Sequence, residues 1–236
     1  MRVGPGVWRL HTRVSNVWVV RLGDGFGVID AGHALEGRAI RRQLRSLTGI
    51  KALYLTHAHP DHVGCASWLQ ARGVAVVCLE AEAAVLARED DPGRLPFWRL
   101  GPVDGLVFGI AYHLSARPPV LADVRLRDGD MHLGMKAIAV PGHTKGSTAW
   151  LHEASGALFC GDALLAARPP WTFRQGLHLP APAYCEDHPR ALASLERLRA
   201  LRFDILCSGH GDPVAERASE KVRAFLDLSV PACDPG

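Results

Sequence analysis

The stretch LTHAHPDHVG, Leu55 to Gly64, places three histidines and an aspartate within the six positions from His57 to His62. It follows directly on the apolar run from Ala52 to Leu55, which reads as a buried strand. A loop leaving a strand end is free of ladder and helix geometry. His57 and His59 can therefore converge on one point while Asp61 and His62 turn toward a neighbouring one. Imidazole nitrogen and carboxylate oxygen suit zinc, manganese, iron or cobalt, and no thiolate is present to favour a structural cysteine site. One metal can be started here, or two.

Outward from this stretch, three further polar residues stand directly after apolar runs: His143 in AVPGHTKGS, Asp162 in LFCGDAL and His210 in ILCSGHG. Each lies on a glycine-flanked turn, where a side chain is held by a sheet yet reaches solvent. Together they supply His57, His59 and His143 for one metal and Asp61, His62 and His210 for a second. Asp162, with two carboxylate oxygens, can bridge both. The remaining histidines (His11, His33, His113, His132, His152, His178 and His188) lack this setting and read as surface or hydrogen-bonded core residues. Asp30 fits the capping of a turn.

The rest of the chain alternates strands and helices. NVWVVRL and FGVIDAG flank Gly23-Asp24-Gly25 and read as a β-hairpin. Leu35, Ala39, Ile40, Leu44 and Leu47 recur at helical spacing, and the spacing predicts a second helix over 61–72, closed by Gly73, and a third over 81–88. VAVVCL reads as a strand, VRLRDGDMHLGMKAIAV as strands about a turn at Asp128-Gly129-Asp130, and STAWLHEASGALFCGD as a hairpin turning at 153–156. A helix over 189–201, with Asp187 or His188 near its cap, leads to the strand FDILCS and a tail helix over 218–228. Two segments rich in Pro and Gly, 89–122 and 167–185, read as long irregular loops, a form often reserved for function. Strands with helices between them indicate an α/β fold.

Hydrophobic residues make up 48% and charged residues 22% of the 236 residues, the balance of a globular chain rather than a disordered one. No apolar run reaches the roughly 18 residues of a membrane span, and the start, MRVGPGVWRLHTRV, lacks the apolar core of a secretory signal. A cytoplasmic protein with no membrane association is expected. The six cysteines are scattered, several inside apolar runs, and are expected to be reduced core residues. A net charge of +3 with dispersed arginines does not indicate a nucleic-acid partner.

The ordered set of motifs resembles the metallo-β-lactamase superfamily. Its H-x-H-x-D-H signature is matched by His57-Ala58-His59-Pro60-Asp61-His62, and PGHTKGS, CGD and SGHG match the remaining ligand blocks in order. The resemblance runs from the hairpin with Asn16 and the Asp30-Ala31-Gly32 turn to the strand before His210. It implies an αββα four-layer sandwich, expected as a single domain over 1–236, with metals between the sheet edges. It implies two divalent ions, zinc first with manganese or iron as alternatives, and a metal-bound hydroxide as nucleophile. Asp61 would be ligand and catalytic residue, orienting the water and taking its proton.

The implied reaction is hydrolysis of a small ester, thioester or lactone. Asp162 argues against a true β-lactamase, because that branch lacks the bridging aspartate, and the pattern is closer to glyoxalase II, lactonases and ribonuclease Z. Glyoxalase II enzymes carry a helical C-terminal extension for glutathione, whereas 26 residues follow His210 here, so a glutathione thioester is not the expected substrate. No basic insertion matches the RNA-binding arm of ribonuclease Z. Two other chemistries of the same fold stay open: a persulfide dioxygenase-like oxidoreductase with one iron on His57, His143 and Asp162, and a phosphodiesterase or nuclease. The expected partner is a small-molecule substrate, with a homodimer left open. Its pocket wall is expected from the irregular segments: Phe97, Trp98, Trp171, Phe173 and Tyr184, with Arg174 to pair with a carboxylate or phosphate.

Overall fold

Backbone pairing begins with an antiparallel meander of β1 (Arg2–Gly4), β2 (Val7–Arg9), β3 (Trp18–Leu22) and β4 (Gly25–Ile29), the last two being the expected hairpin. The computed structural model describes residues 1–89, 95–115, 118–168 and 172–229. Helix α1 (Gly37–Arg45) returns the chain to β5 (Ile50–Tyr54), parallel to β4. Helices α2 (Pro60–Val63) and α3 (Ala66–Gln70) precede β6 (Ala75–Leu79). Helices α4 (Glu80–Ala87) and α5 (Pro102–Leu114) precede β7 (Val124–Leu126). These seven strands form one sheet in sequence order.

A second sheet follows from β8 (Met131–His132), β9 (Met135–Ala139), β10 (Thr148–His152) and β11 (Ala157–Gly161). Strands β12 (Leu165–Arg168) and β13 (Thr172–His178) pair with each other as a separate ribbon. Helix α6 (His188–Arg199), capped by the Asp187 carboxylate on the Arg190 N–H, leads to β14 (Ile205–Ser208) and α7 (Ala218–Ser229). The second sheet has the order β14-β11-β10-β9-β8.

Alternation along the strands explains the layering. Val28, Leu53, Leu55, Val76 and Cys78 pack with Ile40, Leu44, Leu69 and Leu86 of the helices on one side. Their neighbours Ile29, Ala52, Tyr54 and Val77 face the other way, against Met135, Trp150, Phe159 and Cys207 of the second sheet. On that sheet's outer side Ile138, Ala149, Leu151 and Leu158 pack with Leu195, Leu198, Val222 and Leu226 of α6 and α7. Both faces of each sheet are covered, so the strands read as continuous apolar runs. The result is an αββα sandwich with three apolar layers. No helix of the described residues is long and apolar enough to cross a membrane.

Several expectations need correction. The helix expected over 61–72 is two short helices broken at Gly64-Cys65, because the Gly64 and Cys65 N–H groups donate to Gly32 O (2.6 Å) and Ala31 O (3.1 Å). A side chain at Gly64 would run into the backbone of 32–34, so glycine allows this close approach. The segment 89–122 is not structureless. It holds a 3₁₀ turn at 97–100 and the 13-residue α5, whose two glycines, Gly105 and Gly109, hid its helical character. The segment 167–185 contains most of the β12–β13 ribbon. The expected turn at Asp128-Gly129-Asp130 is present, with Asp130 N–H donating to Arg127 O at 3.1 Å, but it joins strands of different sheets, and a second tight turn at Leu133-Gly134 joins β8 to β9. Leu35, expected on the buried face of α1, lies before that helix and is 88% exposed. Cys65, Cys78, Cys160, Cys185 and Cys207 are free and buried, as expected, while Cys233 lies outside the described residues.

Candidate metal centre

The expected ligands leave the sheets at the same end. His57 to His62 follow β5, His143 follows β9, Asp162 follows β11 and His210 follows β14. Parallel pairing sets their mutual positions. Gly161 lies opposite Ser208, so Asp162 and His210 emerge side by side, and Ile29 lies opposite Tyr54, which brings Asp30 to Thr56.

All seven residues come together. Three overlapping groups have potential ligand atoms within 4.8 Å of one another: His57, His59 and His143; His57, His62 and Asp162; and Asp61, His62 and His210. Asp162 stands between the first and last groups, with Oδ1 3.5 Å from His62 Nε2 and Oδ2 3.6 Å from His143 Nε2 and 3.3 Å from His210 Nε2. Asp61 Oδ2 lies 3.4 Å from His210 Nε2 and 3.6 Å from His62 Nε2.

Residues behind the cluster fix which imidazole nitrogen faces it. Asp30, buried and at φ 58°, accepts from the Thr56 N–H and hydroxyl and from His62 Nδ1 at 2.8 Å. Because Thr56 gives its one hydroxyl proton to Asp30, it accepts from His57 Nδ1 at 3.0 Å. His210 Nδ1 donates to Val14 O at 2.9 Å. When His57, His62 and His210 are neutral, as metal binding requires, the lone pair is thereby left on Nε2, the nitrogen turned to the cluster. The hydroxyl of Ser15 donates to Asp61 O, and Asn16 Nδ2 donates to Ser208 O and Gly211 O, so the segment 14–16 ties the Asp61 and His210 loops together.

Asp30 is thus more than a turn cap. Neither Thr56 nor Ser15 was singled out from sequence, and Asp30 was placed near the site only by the resemblance. The sequence signal for its role was an aspartate directly after the apolar run Val28-Ile29.

The electrostatics divide the histidines. Burial first, then the neighbouring imidazoles, holds His57 and His59 well below the ordinary histidine value. Burial takes His143 down to about 4 against the pull of Asp162. For His62 burial is opposed and outweighed by Asp61, Asp162 and Asp30, which lift it to about 9. Asp162 and Asp61 likewise raise His210. Both aspartates are held below the usual carboxylate range, burial being overcome chiefly by His62 and His210.

The sign of the pH dependence follows for the metal-free protein. The His143 contribution is complete above 6.5 and lost as pH falls toward 4, and that of His62 is complete below 6.5 and lost as pH rises through 9. Metal-free thermal stability is therefore expected to peak near pH 6.5, whereas metal loading, which requires these histidines deprotonated, should hold stability up above pH 6.5 and make its fall below pH 6.5 steeper. Thermal melts of both forms across this range check it; a flat metal-free profile would contradict the arrangement.

The donor set fits divalent metal. Nε2 of His57, His59 and His62 and Oδ1 of Asp162 are buried with no hydrogen-bond partner among the described residues. Such atoms are costly unless something else satisfies them. The cluster opens on a cleft of about 600 Å³. Its lining includes the apolar and aromatic Leu95, Phe97, Tyr112 and Tyr184 and the polar Arg13, Asn16 and Gln175.

The expected pocket wall needs revision. Phe97 and Tyr184 line the cleft, but Trp98 is 73% exposed, is not among the lining residues, and has Arg99 over its ring at 5.3 Å. The 3₁₀ turn sends consecutive side chains in different directions. Tyr112, from the unexpected α5, joins the wall, its ring 5.8 Å from that of His59. Trp171 lies outside the described residues, as do the side chains of Phe173 and Arg174 on β13.

A profile of the metallo-β-lactamase superfamily matches residues 12–210, the span that includes every one of these positions. The chain belongs to the metallo-β-lactamase superfamily. It is 24% identical over 200 residues to the probable metallo-hydrolase YybB of Bacillus subtilis, across 84% of this chain and 81% of the relative. It is 31% identical over 197 residues to a hydroxyacylglutathione hydrolase of Cupriavidus taiwanensis, across 80% of this chain and 59% of that one. The crystal structure of TTHA1623 in a di-iron-bound form aligns with a TM-score of 0.62 at 25% identity, covering 93% of this chain and 98% of the other. The resemblance read from the motifs therefore holds for family, fold and a glyoxalase II-like set of relatives. The superfamily binds divalent metals, and His and Asp groups able to hold them are in place.

Proposed function

We propose that the chain is a dinuclear metallohydrolase acting on a small ester, thioester or lactone. His57, His59 and His143 would hold one divalent ion, Asp61, His62 and His210 would hold the other, and Asp162 offers an oxygen to each. The observation that carries this reading is Asp162, whose two oxygens stand between both histidine groups at 3.3 to 3.6 Å. Divalent ions bound there would polarise the scissile carbonyl and bring the pKa of water down from 15.7 to about 7.

The protein's own groups do the rest. Asp61 and Asp162 both line the cleft, and Asp61, with a side chain 25% exposed against 10% for Asp162, is the more open of the two. It would accept a hydrogen bond from the attacking water and so orient it. Leu95, Phe97, Tyr112 and Tyr184 offer an apolar wall for the acyl group and exclude bulk water from that side. Zinc is the first choice of metal, with manganese or iron as alternatives; the di-iron form of TTHA1623 keeps iron in view.

The test is metal content per chain by mass spectrometry on protein purified without chelator, followed by a panel of thioesters, lactones and phosphodiesters. About two equivalents of zinc or manganese with turnover of a carboxylic ester or thioester is the expected result. One equivalent of iron with oxygen-dependent consumption of a thiol substrate would replace this reading with the oxidoreductase one. Turnover of phosphodiesters alone would replace it with a phosphodiesterase.

A further inference from the structure

We propose that Glu82, on the first turn of α4, is a positioning residue that sets the spacing of the His57, His59 and His143 ligands. This inference rests on the metal-centre reading above. Glu82 is 1% exposed, and a carboxylate is among the groups least often found buried without a dedicated purpose. Its two oxygens reach both ligand loops. Oε1 accepts from the Ala58 N–H at 2.7 Å, the peptide between His57 and His59. Oε2 accepts from the Thr144 hydroxyl at 3.0 Å, one residue after His143, and from the Gly146 N–H at 2.9 Å.

The two loops leave different sheets, His57 and His59 after β5 and His143 after β9. Outside the apolar layer, their relative position depends on few direct links, such as the Thr148 N–H to Thr56 O at 2.8 Å and the Trp150 indole N–H to Leu55 O at 3.1 Å. Glu82 adds a crossbeam at the level of the ligands themselves. The chain leaves room for it: a Cβ at Gly146 would lie 2.5 Å from Glu82 Oε2 and 2.5 Å from its backbone nitrogen. Within the Thr144 loop, the Ser147 hydroxyl accepts the Thr144 N–H at 2.9 Å, which holds the hydroxyl of Thr144 in place.

The chemistry explains why a carboxylate stands here. The Ala58 N–H, the Thr144 hydroxyl and the Gly146 N–H all donate to Glu82, and a carboxylate is acceptor-only with about four lone-pair sites. Glutamine would turn an NH₂ toward at least one of them, leaving a buried donor against a donor. Hydrogen bonds to a charged acceptor are also shorter and stronger, which suits a strut between two loops. Glu82 is not among the residues lining the cleft and acts through the loops.

The experiment is zinc affinity, by competition with a chromophoric chelator, for wild type, Glu82→Gln and Thr144→Val, each first shown folded in its metal-free form by circular dichroism at the assay temperature. Glu82→Gln is expected to weaken the tightest zinc about 10- to 100-fold, and Thr144→Val, which removes one bond of three, to weaken it less. A purely structural role would lower the metal-free melting temperature and leave the affinity of the folded protein unchanged. That result for Glu82→Gln overturns the proposal. Should Glu82→Gln fail to fold, Thr144→Val decides, and wild-type affinity in it overturns the proposal. A wild-type protein that binds no zinc, manganese or iron would remove the metal-centre reading itself, and this inference with it.

Discussion

Asp162→Asn is expected to retain at most one tightly held metal per chain and to lower kcat/KM about 1,000-fold, equivalent to about 4 kcal/mol of transition-state stabilisation. The amide matches the carboxylate in shape, so the turn after β11 should keep its form. What changes is the charge between the two histidine groups and the number of acceptor sites facing His62, His143 and His210. The amide's NH₂ would face at least one imidazole nitrogen whose lone pair is meant for a metal. Losing the carboxylate also removes the chief support for the raised pKa of His210, so that side chain should lose its proton more readily in the metal-free protein. Metal content by mass spectrometry and steady-state kinetics on the same sample check this. Two equivalents of metal with near wild-type activity would show that Asp162 is not a bridge.

The candidate ligand residues stand out in the sequence because each follows an apolar run directly, and a strand end needs no long-range information to be recognised. Their convergence could be read only through the order of the motifs. Composition alone would have stopped at a mixed α/β chain. Other parts were hidden for physical reasons. Helix α5 consists almost entirely of apolar residues and two glycines, so it has neither the periodic polar face nor the propensity that marks a helix. Its contribution to the cleft, Tyr112, was missed with it. The break at Gly64 depends on the backbone of 31–32 taking the hydrogen bonds that would have continued the helix, Gly64 N–H bonding Gly32 O and Cys65 N–H bonding Ala31 O, partners too remote in sequence to be read from the local pattern. Glu82 sits in a helix whose other residues gave no reason to treat one carboxylate as buried.

Asp30 supplies the second large effect, and two substitutions separate its roles. It accepts from Thr56 and from His62, and through Thr56 it also orients His57, so one carboxylate sets the tautomers of two ligands. In Asp30→Asn the side chain still tolerates the left-handed backbone at φ 58°, because asparagine is among the residues that adopt it readily. The amide oxygen can keep Thr56, but the NH₂ then meets His62 Nδ1 and makes it an acceptor. The imidazole proton moves to Nε2, the nitrogen that faces Asp61 and Asp162, and His62 can no longer ligate from it without losing that proton. Asp30→Asn is therefore expected to fold and to bind its weaker metal about 10- to 100-fold less tightly, with activity falling alongside. Asp30→Ala removes the acceptors altogether, at about 3 to 5 kcal/mol for a broken buried ion pair, and adds about 1 to 2 kcal/mol because alanine disfavours this backbone conformation. Its melting temperature should fall well below that of Asp30→Asn. Melts of the metal-free variants together with zinc titrations distinguish the two effects: equal metal affinity in Asp30→Asn and wild type would mean that His62 takes its orientation from elsewhere, and the ligand assignment on that side of the cluster would have to be redrawn.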